Sequence, residues 1–166
     1  MAKRAFNHPV NHIGLAVPDV EVAQKWYMDV FGFRQLRSIS FEDRDSNEDT
    51  AALNILPSVV RKVKLAYLGT GNSVGIELFE FIDPKIDPQR ESHIGNGQHI
   101  TLGGFFHFAI TTPDIEAMRR KVLEYGGKAV GGVGTLDGEE GTYVQDPWGN
   151  IVELITVSYE QLLSNR

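Results

Sequence analysis

Four ionisable side chains stand in otherwise apolar, strand-like runs of this chain. His12 opens HIGLAV, Glu77 lies in GIELFEF, His107 opens HFAI and Glu153 lies in NIVEL. A carboxylate buried without a partner costs on the order of several kcal/mol unless it is paired or binds a metal. Imidazole nitrogens and carboxylate oxygens are common ligands of divalent transition-metal ions. The residue types therefore point to metal chemistry, provided that the fold brings the four together.

The four residues come from two copies of one sequence pattern. Residues 12–32 and 107–127 match at a constant offset of 95, with five identities in 21 positions. The two glutamates lie in GIEL and IVEL at an offset of 76, so the first copy is longer by 19 residues, mostly in the polar loop 40–51 and the residues just after it. An internal repeat of this kind indicates two copies of one structural module.

Each copy has the pattern of a strand followed by a helix. The alternation that starts at His12 predicts a half-buried strand, since apolar and small or polar residues take turns. Asp19 is expected to cap the next helix and Gly32 to end it. The second copy predicts a strand over 106–111 and a helix capped by Asp114.

Strand hairpins come after both helices, at 60–81 and 141–157, so each copy reads as a βαβββ unit. The sequence therefore predicts an α+β fold, in which two tandem βαβββ modules form a mixed, cup-shaped sheet with the helices on the outside. The expected organisation is a single domain over 1–166, with a first module at 10–82, a linker at 83–104, a second module at 105–158 and a C-terminal tail at 159–166.

Strand alternation also predicts where the four side chains lie. Each has aliphatic neighbours on the opposite face of its strand, which leaves the His or Glu on the face away from the helices. If the modules join with pseudo-twofold symmetry, His12, Glu77, His107 and Glu153 point into one cup. Two imidazoles and two carboxylates suit a divalent cation such as Zn, Ni, Co, Mn or Fe. The interpretation depends on symmetry, because each copy supplies one His and one Glu.

Composition excludes several functional classes. The 166 residues carry a formal net charge of −6, which disfavours nucleic-acid binding through bulk electrostatics. The chain has no cysteine, so disulfides, zinc–thiolate sites and thiol nucleophiles are excluded. No segment approaches the ~20 apolar residues of a membrane span, and the N-terminus has no apolar signal core. We expect a soluble, cytoplasmic protein with no nucleic-acid or membrane partner.

The sequence resembles the vicinal oxygen chelate superfamily, also called the glyoxalase, bleomycin-resistance and extradiol dioxygenase fold. The segments that carry the resemblance are NHIGLAVPDVEVAQKWYMDVFGF, IELFEF, FFHFAITTPDIEAM and DPWGNIVEL, which span most of residues 10–157. The resemblance implies two βαβββ modules around a metal, a small-molecule substrate and a homodimer. By position, it implies His12, Glu77, His107 and Glu153 as the metal ligands.

Several branches of this superfamily remain open. The His/Glu/His/Glu set is similar to that of lactoylglutathione lyase, whereas methylmalonyl-CoA epimerases normally carry Gln at the position of Glu77. Extradiol dioxygenases and fosfomycin-resistance enzymes use three protein ligands, and bleomycin-binding members have usually lost them. The first hypothesis is therefore a metal-dependent lyase or isomerase. The alternatives are an Fe(II) ring-cleaving dioxygenase or oxygenase, and a small-molecule binding or antibiotic-resistance protein.

The hypothetical mechanism is a proton transfer assisted by the metal. A substrate with neighbouring oxygens, such as a hydroxyketone, a hemithioacetal or an acyl thioester, would bind the cation, which stabilises the charge formed when a carbon-bound proton leaves. A carboxylate must accept that proton. Glu153 is the first choice as this catalytic base and Glu77 is the second.

Overall fold

The computed structural model describes residues 7–46, 50–86 and 103–164. The chain divides into two compact units, Met1–Ile86 and Asp87–Arg166. Each unit contains one four-stranded mixed sheet, which confirms the α+β class and the two tandem βαβββ modules. Most of the predicted linker 83–104 lies outside the described residues, so its bounds stay a prediction, as does the cup.

The first unit has the strand order β1-β4-β3-β2, with β1 parallel to β4 and the other neighbours antiparallel. The predicted cap is present, because the Asp19 carboxylate accepts hydrogen bonds from the backbone N–H groups of Glu21 and Val22. Gly32 ends α1 in the left-handed conformation with φ of 72°. The elements are β1 (His12–Ala16), α1 (Val20–Phe31), β2 (Arg34–Asp43), α2 (Ala51–Ile55), β3 (Lys62–Gly69) and β4 (Gly75–Asp83).

The second unit repeats this arrangement with the order β5-β8-β7-β6 and a parallel β5–β8 pair. Asp114 caps its first helix by accepting a hydrogen bond from the N–H of Ala117 at 2.8 Å. The segment predicted as a tail contains a short helix. The elements are β5 (Phe108–Thr111), α3 (Ile115–Glu124), β6 (Lys128–Leu136), β7 (Glu139–Gln145), β8 (Ile151–Ile155) and α4 (Tyr159–Ser164).

The residues by which the first copy exceeds the second form part of a strand and a short helix as well as a loop. Strand β2 continues to Asp43, and the helix α2 begins after Thr50, whose hydroxyl accepts a hydrogen bond from the N–H of Leu53. Leu53 is completely buried in a cluster with Val63 and Leu65 of β3, against which Phe79 and Phe81 of β4 also pack. Helix α2 therefore covers part of the first unit's sheet.

The two helices of the first unit lie on opposite faces of its sheet. Helix α1 begins beside Glu80, whose carboxylate accepts a hydrogen bond from the N–H of Val20 at 3.0 Å. Glu80 points to the face opposite Phe79, because successive side chains alternate along a strand. Glu77 and Phe79 share their face, so the candidate ligand lies on the side of the sheet that α2 covers further along.

Candidate metal-binding and catalytic site

The first unit brings His12 and Glu77 into contact. His12 begins β1, and the parallel register pairs it with Gly75 of β4, two residues before Glu77. The Nε2 atom of His12 lies 3.3 Å from an Oε atom of Glu77. The imidazole is half exposed and the carboxylate is 21% exposed. A cleft of about 360 Å³ borders the pair where β3 and β4 form a hairpin.

Asn11 fixes the orientation of the His12 ring. The Nδ1 atom of His12 lies 2.8 Å from the amide oxygen of Asn11. Since this oxygen can only accept, Nδ1 carries the proton in that hydrogen bond. The other ring nitrogen, Nε2, then lies on the side of Glu77. Metal-binding histidines are commonly held in this way, by a hydrogen bond from the nitrogen that does not bind the metal.

The second unit contains the equivalent pair. His107 immediately precedes β5, whose residue Ala109 is in register with Glu153 of β8. The Nε2 atom of His107 lies 3.2 Å from an Oε atom of Glu153, and the two side chains are 27% and 22% exposed. Glu153 is therefore neither deeply buried nor unpartnered, which removes the large cost expected for an isolated buried carboxylate.

The surroundings of His107 are more apolar than those of His12. The His107 ring makes edge-to-face contacts with the rings of Phe106 and Tyr143, at centroid distances of 4.8 and 5.1 Å. Its Nδ1 atom is buried and has no hydrogen-bond partner among the described residues. The second imidazole is thus held by aromatic packing, whereas the first is held by an amide.

A tyrosine lies opposite each of the two glutamates. Tyr67 of β3 pairs with Glu77, and Tyr143 of β7 pairs with Glu153. Burial raises the pKa of the Tyr143 hydroxyl, and the negative charge of Glu153 raises it further. The hydroxyl of Tyr67 instead lies 3.2 Å from that of Ser40. Sequence reasoning missed this equivalence, although both tyrosines are separated by the same 76 residues as the glutamates.

The distances within the two pairs fit metal ligation. Two donors bound to one ion at about 2.1 Å lie roughly 3.0–3.4 Å apart for bond angles between octahedral and tetrahedral values. The observed separations of 3.3 and 3.2 Å fall in this range. The described residues contain no group of three or more His, Asp or Glu side chains that could hold a metal ion. Each unit therefore supplies two donors, and a site with four ligands is a proposal.

Comparison with known proteins identifies a protein family whose model matches this chain. The chain matches the family model of the glyoxalase/bleomycin resistance protein/dioxygenase superfamily over residues 10–154. No curated protein sequence matches the chain. In the described part of the chain, every helix is too short or too polar to cross a membrane.

Solved structures share the fold at low sequence identity. A glyoxalase family protein from Bacillus cereus has 18% identity and a TM-score of 0.71, covering 94% of this chain and 97% of that one. Glyoxalase I from Zea mays has 24% identity and a TM-score of 0.58, covering 90% of this chain and 44% of the maize chain. The fosfomycin resistance protein FosX from Listeria monocytogenes has 14% identity and a TM-score of 0.59, covering 97% and 100%. With the family model matching most of its length, the chain belongs to the glyoxalase/bleomycin resistance protein/dioxygenase superfamily.

Proposed function

We propose that the protein is a metal-dependent lyase or isomerase of the glyoxalase type, which moves a proton on a small substrate that chelates through oxygen. The observation that carries this proposal is the duplicated donor pair. Each unit presents one imidazole Nε2 and one carboxylate oxygen 3.2–3.3 Å apart. We propose that His12, Glu77, His107 and Glu153 together bind one divalent ion.

The chemistry of the donors narrows the choice of metal. Two neutral imidazoles and two carboxylates form a mixed nitrogen and oxygen set, which suits Zn²⁺, Ni²⁺, Co²⁺, Mn²⁺ or Fe²⁺. A bound ion of this kind supplies Lewis acidity, which stabilises negative charge that develops on a substrate oxygen. Maize glyoxalase I and FosX share the fold, and their names are consistent with small-molecule substrates.

Glu153 is the carboxylate that we propose as the proton acceptor. It lies beside the Tyr143 ring, and the His107 ring next to it is packed against aromatic groups. In the proposed step, Glu153 takes the proton from the carbon next to a substrate carbonyl and returns it to the same or the neighbouring carbon. Glu77 is the second choice for this role.

Substrates of this reaction carry two neighbouring oxygens and an acidic carbon–hydrogen bond. Hydroxyketones, hemithioacetals of 2-oxoaldehydes and acyl thioesters that carry a second oxygen group, such as a 2-methylmalonyl thioester, meet this description. We propose that the enzyme acts as a homodimer, which sedimentation of the purified protein tests directly.

The function is tested by hydrogen exchange. The protein is loaded in turn with each of the five metals and incubated in D2O with one hemithioacetal, one 2-hydroxyketone and one 2-methylmalonyl thioester. We expect deuterium at the activated carbon of at least one substrate, and we expect Glu153→Gln to abolish it.

Two results would overturn the proposal. Exchange at the rate of the buffer alone with every metal would remove the lyase or isomerase assignment. Oxygen consumption with a catechol by the Fe²⁺ form, without any exchange, would replace it with the ring-cleaving oxygenase.

A further inference from the structure

A cleft of about 250 Å³ opens on the second unit's sheet beside Glu153. Tyr143 and Glu153 line it, and strand β6 contributes Gly134 and Leu136. Among the described residues, Glu153 is the only charged one in its lining, and neither lysine nor arginine contributes to it. The described lining therefore offers no side-chain cation to an anionic group, which favours an uncharged one.

The hydroxyl of Tyr143 is available to a ligand in this cleft. It makes no hydrogen bond to any other described residue, unlike the hydroxyl of its repeat counterpart Tyr67, which lies beside Ser40. A phenol hydroxyl can donate a hydrogen bond to a substrate oxygen.

The strands beside Glu153 leave a flat surface free of side chains. Gly134 of β6 lies directly opposite Gly141 of β7. Neither glycine has the left-handed backbone that would require it. A Cβ atom at Gly134 would meet nothing within 4 Å, and one at Gly141 would make only an ordinary contact of 3.6 Å with a backbone oxygen. Glycine within a strand weakens it and often marks a place where a ligand approaches the backbone.

The first unit fills the equivalent surface with protein. Leu65 lies 76 positions before Gly141, on the same face as Glu77. It is buried against Leu53 of helix α2. The second unit has no counterpart of α2 between its strands β6 and β7, which a two-residue turn at Asp137 and Gly138 connects. The surface that side chains of the first unit fill is therefore open in the second unit.

We propose that the cleft beside Glu153 binds the body of the substrate as an uncharged, flat ring that lies on Gly134 and Gly141, while the Tyr143 hydroxyl donates a hydrogen bond to a substrate oxygen. The proposal rests on the proposed function, because it places the oxygen that Tyr143 contacts beside the proton acceptor. It adds a substrate class, aryl-substituted hydroxyketones, and one further substrate-binding residue.

Two probes separate the ring from the reacting group. 2-Hydroxy-1-phenylethanone and hydroxyacetone carry the same hydroxyketone, but only the first has a flat ring. Their dissociation constants are measured by calorimetry on the zinc-loaded protein. We expect the phenyl compound to bind about tenfold more tightly or better, since burying the faces of a ring removes on the order of 100 Å² of apolar surface from water.

Gly134→Val tests the flat surface, because its side chain would occupy the proposed position of the ring. We expect the preference for the phenyl compound to disappear while Tm stays unchanged or rises, since β-branched residues favour strands. The control is Ala129→Val, which adds bulk on the opposite face of the same strand and should keep the preference. A lower Tm for Gly134→Val would show that the glycine is structural, and an unchanged preference would show that no ring binds there. Either result overturns the proposal.

Tyr143→Phe tests the hydrogen bond. A neutral hydrogen bond corresponds to a roughly 2- to 10-fold change in affinity, so we expect both probes to weaken by this amount. Tyr67→Phe is the repeat-matched comparison and should weaken them less, because Ser40 already lies beside its hydroxyl. Equal effects of the two variants would overturn the role of Tyr143. If the probes bind as proposed but the wild type exchanges no deuterium, the proton-transfer function is refuted. The proposal that the cleft binds a flat ring is then still supported.

Discussion

The two units carry the same His–Glu pair in different surroundings. His12 is half exposed, and Asn11 orients its ring through a hydrogen bond. His107 is less exposed and packs against two aromatic rings, with its Nδ1 buried and unpaired among the described residues. Duplication of a module therefore preserved the donor atoms while their environments diverged. Under the proposed function, the first pair only binds the metal, whereas the second also supplies the proton acceptor.

The sheet faces that carry the two His–Glu pairs also differ between the units. In the first unit, α2 packs on the strands beyond Glu77 and makes a local core. In the second unit, the corresponding strands carry opposed glycines beside a cleft. The two faces therefore differ without any change in the His–Glu pairs. The difference comes from an inserted helix in the first copy and from glycines in the second.

The largest effect is expected from comparing the two carboxylates. Removing a general base lowers rates by about 10²–10⁴. At saturating metal, we therefore expect Glu153→Gln to lower kcat by about 10³-fold or more. Glu77→Gln should act chiefly by weakening metal affinity, with kcat reduced much less. Steady-state kinetics with a metal titration measures both, and a reversed order of the two kcat losses would move the base to Glu77.

Leu53→Ala tests whether α2 is part of the first unit's core. Leu53 is fully buried, and truncation of such a side chain costs about 2–5 kcal/mol of the free energy of unfolding. Urea denaturation followed by circular dichroism measures this cost. Ile55→Ala is the matched control, since Ile55 is 87% exposed on the same helix and its loss should cost under about 0.5 kcal/mol. Equal costs would mean that α2 does not pack as described.

Asn11→Ala tests whether an amide orients the first imidazole. Removing the partner of a metal-binding histidine typically lowers metal affinity about 10- to 100-fold. We expect this loss for zinc, measured by competition with a chromophoric chelator. Asn11→Asp keeps an acceptor oxygen for Nδ1 and should restore most of the affinity. Affinity that does not change in Asn11→Ala would remove Asn11 from the site.

The smallest effect is expected at the two helix caps. The Asp19 carboxylate accepts two backbone N–H groups, whereas that of Asp114 accepts one. Loss of such a cap costs about 1 kcal/mol. We expect Asp19→Ala to be destabilising by that amount and Asp114→Ala by somewhat less, in urea denaturation. The opposite order would indicate that the number of accepted bonds does not control the cost.

Local signals in the sequence were sufficient to predict much of the fold. The capping aspartates, Gly32 and the alternation around His12 and Glu77 are each decided by neighbours in the chain. The contact within each His–Glu pair depends on the register of two strands that lie far apart in sequence. The repeat made that register predictable, because it marked the same partners twice.

The remainder depends on tertiary contacts. A five-residue helix such as α2 is not stable by itself, and the polar run before it favours a loop. The helix forms because Leu53 packs into the core, and this contact cannot be read from the local sequence. Asn11 is one of several polar residues before β1, and its role depends on the rotation of one ring. The sequence did not predict a role for Gly134 and Gly141. That role depends on the open space over the two glycines and on the register of β6 with β7, which are tertiary features.

The most direct test of the central claim is the metal content of four proteins, measured by elemental analysis after zinc loading and gel filtration. These are the wild type, His12→Ala, His107→Ala and a control, Asn72→Ala, which changes the turn between β3 and β4. We predict about one zinc per chain in the wild type and the control, and a loss of tightly bound zinc in either histidine variant. Retention of one zinc per chain by His12→Ala or by His107→Ala would contradict a single site shared by both pairs, as would a wild type that binds none.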